Sequence, residues 1–178
     1  MPEQLLPGYN IRLGSSLDRA LLVKFMQRSY QDIFPQGDFS HLAQTVEQYF
    51  SSKTPLWWVE EAGEQGSRGA EDDKGVFSSF SPLSPSSPIA CLWVGNAIDQ
   101  IGGSRHAHIF LLYVAPEHRR QGIGTALMKY LENWATQSGD RQIGLQVFQS
   151  NQPALNLYNQ LGYQTQSLWM VKSLNIEK

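Results

Sequence analysis

Residues 108–135, HIFLLYVAPEHRRQGIGTALMKYLENWA, set an apolar run, a basic glycine turn and an amphipathic helix in direct succession. The apolar run reads as a buried strand. Leu127, Tyr130, Leu131 and Trp134 follow at i, i+3, i+4 and i+7, which predicts a helix over 122–138, and Gly139 is placed to end it. The first turn of any helix carries unpaired N–H groups and the positive end of the macrodipole. Gly122 and Gly124 lack side chains that would keep an anion from those groups, and Arg119 and Arg120 add positive charge. A diphosphate suits that arrangement. Two better-known glycine motifs do not match it. The dinucleotide fingerprint needs a third glycine where Leu127 stands, and the triphosphate loop needs a Gly-Lys-Ser or Gly-Lys-Thr that the chain lacks.

Upstream, alternation predicts a strand at 9–13. Ser15 and Asp18 then form a capping-box pattern ahead of a helix over 16–30. A weaker helix at 39–51 and a strand at 56–60 follow. Residues 62–88 hold seven Ser, four Gly and three Pro and bury too little to fold, so a flexible insertion is expected there. Strands are expected at 89–94, 106–114 and 143–148, a short helix from Pro153 to Gly162, and a last strand or pair of strands from Tyr163 onward, especially over Leu168–Leu174. The 178 residues then make one α/β domain, 1–178, around a central sheet. A net charge of −2 argues against a nucleic-acid partner, and the single cysteine, Cys91, excludes an internal disulfide. No stretch is apolar enough to span a membrane and no signal peptide opens the chain, so a cytoplasmic protein is expected.

Arg119-x-x-Gly122-x-Gly124 after a buried strand resembles the acetyl-coenzyme-A signature of the GCN5-related N-acetyltransferase superfamily. A second block, Asn151-Gln-Pro-Ala154-Leu-Asn-Leu157-Tyr158-Asn-Gln-Leu161-Gly162-Tyr163, is similar to that family's Asn-x-x-Ala-x-x-Leu-Tyr-x-x-x-Gly-aromatic segment. The resemblance implies a mainly antiparallel mixed sheet flanked by about four helices, with a splayed strand pair that receives acetyl-coenzyme A. It implies backbone contacts from Leu112, Tyr113 and Val114 to the pantetheine arm. The N–H groups of Arg120, Gln121, Gly122, Ile123, Gly124 and Thr125 would hold the pyrophosphate, with Arg119 adding charge. Asn151 would contact the pantetheine region; its residue type suits a helix cap equally. Tyr158 matches the family's general acid, which protonates the departing thiolate.

The general base is less defined. Some members carry a glutamate where this chain has His108, and others where it has Gln146, which cannot take a proton. His108 is chemically suited to the task; Glu60, Glu61 or water are alternatives. Trp57, Trp58 and Trp93, with Tyr30 and Phe34, fall where the family binds its acceptor, and either pocket lining or core packing fits them. The expected activity is acetyl transfer from acetyl-coenzyme A to an amine of a small molecule or peptide, by direct attack in a ternary complex, with no metal. A longer acyl group, or acyl-coenzyme-A binding without turnover, are the alternatives. The apolar final strand suits pairing across a homodimer.

Overall fold

The first helix begins where its capping residues allow. The Ser15 hydroxyl accepts from the Leu17 amide, and the Asp18 carboxylate accepts from the Ser15 amide at 2.7 Å. A 3-10 turn at Ser16–Asp18 opens into α1 (Arg19–Ile33), and α2 (Leu42–Tyr49) follows. The computed structural model describes residues 3–63 and 87–174. The expected insertion falls mostly outside them, at 64–86.

The chain divides into two compact units, 1–146 and 147–178. In the first, six strands stand in chain order: β1 (Glu3–Leu6), β2 (Tyr9–Leu13), β3 (Leu56–Glu61), β4 (Ala90–Ile98), β5 (Arg105–Val114) and β6 (Ile143–Leu145). β1 has no strong alternation and escapes sequence reading; it forms because Gly8, at φ 84°, turns the chain back onto β2. Every neighbouring pair is antiparallel except β5–β6, whose connection carries the crossover helix α3 (Ile123–Gln137).

Helices pack on both faces of the sheet. Leu22, Phe25 and Met26 of α1, with Leu42 and Val46 of α2, pack on Trp58, Trp93, Leu111 and Tyr113. On the opposite face Trp57 meets Tyr130 and Trp134 of α3, ring centroids 5.7 and 5.4 Å away. Burial from both sides explains why β3 reads as an unbroken apolar run. Trp57, Trp58 and Trp93 are therefore core residues, 4%, 0% and 0% exposed.

A bulge interrupts the β4–β5 ladder. Trp93 pairs with Leu111 but Val94 with Ile109, so Phe110 is the extra residue. Its ring lies over Gly95, where a Cβ would come within 2.1 Å.

In the second unit, α4 (Gln152–Gln160) is capped by Asn151, whose side-chain oxygen accepts from the Ala154 amide at 3.3 Å. Pro153 lies in its first turn and Gly162, at φ 86°, follows its end. Two expectations need correction. β6 stops at Leu145 rather than reaching 148, and residues 163–174 form no strand. Leu168, Trp169, Met170 and Val171 are 71–84% exposed. An apolar, extended sequence becomes a strand only when a neighbour supplies its ladder bonds, and local sequence does not carry that information.

Replacing Gly95 by Ala is expected to destabilise the fold by about 1–3 kcal/mol, because the new methyl must displace the Phe110 ring. Urea unfolding measures this. A neutral or stabilising outcome, usual for Gly→Ala in an open strand, would contradict the contact.

Candidate functional site

The hydrogen-bond phase of β5 defines the site. Ala115 donates to the Ile89 carbonyl at 2.8 Å, beside the register pair Ala90–Val114. Antiparallel alternation then turns the peptide groups of Tyr113 and Leu111 toward β4, and those of Leu112 and Val114 toward the other edge. On that other edge β6 pairs with β5 only at Ala107, His108 and Ile109. Beyond the bulge the two strands share no ladder, and the Leu112 and Val114 groups border an opening.

The chain then enters a basic turn. Pro116–His118 form a 3-10 turn, Arg119 is extended, Arg120 is left-handed at φ 63°, and Gly122 is left-handed at φ 84°. For a non-glycine residue the left-handed conformation costs about 1–2 kcal/mol, so Arg120 is held there by its surroundings. One contact holding the turn comes from β2: the Tyr9 hydroxyl donates to Gln121 Oε1 at 2.5 Å and lies 3.2 Å from His118 Nδ1.

α3 starts with Gly122 as its N-cap, and no side chain caps it. Its first internal bond runs from the Ala126 amide to the Gly122 carbonyl at 2.9 Å. Among the described residues the amides of Ile123, Gly124 and Thr125 therefore have no acceptor. A Cβ on Gly122 would come no nearer than 4.0 Å to Leu6, so its surroundings leave room.

The two arginines do different things. Arg119 Nε donates to the Val114 carbonyl at 2.8 Å, its terminal nitrogen pairs with Asp32 at the end of α1, and its guanidinium lies 5.6 Å from the centre of the Tyr113 ring. Its charge is thus already matched. Arg120 is exposed and, among the described residues, has no carboxylate partner. Asp32 was invisible as a site residue in the sequence, because it stands 87 positions from Arg119.

His108 sits where the strands begin to part, opposite Gly144 of β6. A Cβ on Gly144 would lie 2.9 Å from His106 Nε2 and 3.3 Å from His108 Nδ1, so the glycine makes room for both rings. Burial, and then the neighbouring His106, hold His108 below the usual histidine pKa. Glu60 accepts from Arg12 Nε at 2.6 Å, and Glu61 lies 3.8 Å from His118. Both are thus engaged away from His108's strand.

In the second unit, Tyr158 is half-buried on α4 with its ring 5.7 Å from that of Tyr163. Burial pushes its phenol up to about 12, so it is a proton donor throughout the physiological range. Buried Cys91 has its thiol pushed far up by desolvation, which keeps it protonated and unreactive.

The sequence matches the Acetyltransferase (GNAT) family over residues 23–163. The chain belongs to this family. It is similar to streptothricin acetyltransferase of Streptomyces lavendulae, 27% identical over 58% of this chain and 53% of that one. An uncharacterized N-acetyltransferase, YobR of Bacillus subtilis, is 33% identical over 42% of this chain and 28% of its own. The matches thus span roughly a quarter to a half of those relatives' length. In fold it resembles a predicted acetyltransferase from Clostridium acetobutylicum crystallised with acetyl-CoA, with TM-score 0.66 and 20% identity over 93% of this chain and 96% of that one. The expected mixed, mainly antiparallel sheet with four helices is the one observed. No helix among the described residues is long and apolar enough to cross a membrane.

The depressed His108 pKa has a consequence for stability. The unfolded chain binds that proton more readily, so the contribution is fully present above the ordinary histidine value. It is lost as pH falls from that value through the lower folded one. His108→Asn should flatten this part of the urea-midpoint profile between about pH 4 and 7. An unchanged slope would show that His108 titrates normally.

Proposed function

We propose that this GNAT-family chain is an N-acetyltransferase that moves the acetyl group of acetyl-coenzyme A to an amine of a small molecule or peptide. The observation that carries the proposal is the conjunction, within one unit, of an open edge on β5 and an uncapped α3 beginning nine residues after Val114. In this reading the α3 amides at Ile123, Gly124 and Thr125 receive the pyrophosphate, with those of Arg120, Gln121 and Gly122 lining the turn. Arg120 supplies the unmatched positive charge. Arg119 instead fixes the turn to Val114 and Asp32. Leu112 offers its backbone groups to the pantetheine arm, which would lie along the edge as an added strand does, and Val114, whose carbonyl accepts from Arg119, offers its N–H; Tyr113 supports that edge from the core.

The chemistry asked of the residues is limited. The acceptor must lose a proton before its nitrogen attacks the thioester carbonyl. His108, kept neutral by burial, takes that proton directly or through water. The Val114 N–H, directed to the open edge, stabilises the oxyanion that forms. As the C–N bond forms and the C–S bond breaks, Tyr158 gives its phenolic proton to the thiolate. A phenol pKa near 12 makes Tyr158 a weak acid, yet a coenzyme A thiolate in a dry site is a competent base for it. Asn151 caps α4 and so sets the start of the helix that carries Tyr158.

Calorimetric titration is expected to give micromolar binding of acetyl-coenzyme A. Arg120→Glu combined with Gly122→Asp should abolish it. Failure of the wild type to bind would overturn the proposal. With amine mixtures, coenzyme A release should follow, and Tyr158→Phe should lower kcat roughly a hundredfold while the melting temperature stays close to wild type. Binding without release would instead favour an acyl-coenzyme-A-binding module, the reading that Gln146, lacking a base's chemistry, also permits.

A further inference from the structure

The face of the sheet that α3 covers is not covered completely. Residues paired across antiparallel strands share a face, so the register Glu3–Ile11, Ile11–Val59 and Leu13–Trp57 places Glu3, Ile11, Leu13 and Trp57 on the side of α3. Trp57 is buried under Tyr130 and Trp134, but Leu13 is 65% exposed and the two α3 rings are only partly covered. Between them lies a groove of about 400 Å³ whose lining includes Glu3, Arg12, Leu13, Trp57, Tyr130 and Trp134. It lies wholly within the first unit. At 1.5 Å per helical residue, Tyr130 and Trp134 are roughly 12–18 Å along α3 from Gly122, well removed from the turn described above.

The charges around this groove do not cancel. The Arg12 guanidinium is engaged by Glu60 at 2.6 Å and Asp18 at 3.4 Å, so two carboxylates already face it. Glu3 has no basic partner among the described residues. Its negative charge is close enough to help raise the Tyr130 pKa, after the larger effect of burial. One carboxylate without a basic partner among the described residues, beside two half-exposed aromatic rings and an exposed leucine, is the chemistry that recognises an organic cation. The rings offer their negative faces, the leucine covers alkyl groups, and the carboxylate supplies the counter-charge. A hydrated metal ion would gain nothing from the rings, and an anion would be repelled.

We propose that this groove is a second binding site, for a small alkylated ammonium ion. It stands independently of acetyl transfer.

Choline is the probe, and 3,3-dimethylbutan-1-ol, its uncharged carbon counterpart, is the comparison. Indole N–H resonances are followed during titration at constant ionic strength. Choline should move the Trp57 and Trp134 signals saturably and leave those of Trp58 and Trp93, on the opposite face, in place. The neutral alcohol should bind much more weakly. Glu3→Gln, on an edge strand, should keep the folded spectrum and weaken choline roughly fivefold, the upper range for one exposed ionic contact. Trp134→Leu should weaken it further while keeping an apolar side chain over Trp57. The proposal fails if choline gives no saturable shift. It fails equally if the alcohol binds as well as choline, or if Glu3→Gln leaves the affinity unchanged.

Discussion

β5 has two neighbours along its first half and one along its second, and the rest of the site depends on that asymmetry. Strand backbone groups alternate in direction, so a strand bonded on one side only presents every second peptide group to whatever lies beyond. From Phe110 to Val114 those groups belong to Leu112 and Val114. The bulge at Phe110 sets which residues they are, because an extra residue shifts the pairing phase by one. Gly95 permits the bulge by leaving space for the phenylalanine ring. A glycine in β4 thus helps determine which backbone groups of β5 reach the opening.

The basic turn shows a similar division of labour. Two adjacent arginines look equivalent in sequence, yet one is fully engaged and the other is not. Arg119 ties the end of β5 to the end of α1 through Val114 and Asp32, and it lies near the face of Tyr113. Arg120 occupies a left-handed conformation that most side chains avoid, and its charge has no partner among the described residues. Strain and unmatched charge at one residue, next to three unpaired amides, are features that a ligand would relieve. Tyr9, from the far side of the sheet, holds Gln121 and borders His118, which connects this turn to the outer strands.

Histidine placement follows from the same geometry. His106 and His108 alternate onto one face of β5 and flank Gly144, where any side chain would collide with them. His106 is only 8% exposed, with Gln142 3.4 Å from its Nδ1. Burial, and then the nearby His106, disfavour a positive charge on His108, which keeps it in the form that accepts a proton.

Local sequence determined a great deal of this protein. The periodicity of Leu127, Tyr130, Leu131 and Trp134 fixed α3, the Ser15–Asp18 box fixed the start of α1, and Asn151 with Pro153 fixed the start of α4, because helices and caps are made from contacts within a few residues. The glycine turn and the family resemblance were legible for the same reason. Tertiary structure alone decided the pairings. It brought Asp32 to Arg119, placed Phe110 over Gly95, and set Glu3 beside Tyr130, contacts between residues far apart in the chain that no local pattern encodes. It also left residues 168–174 without strand structure despite their apolar sequence. A strand exists only in partnership, and which strand accepts a partner, and where that pairing stops, is settled by the whole sheet.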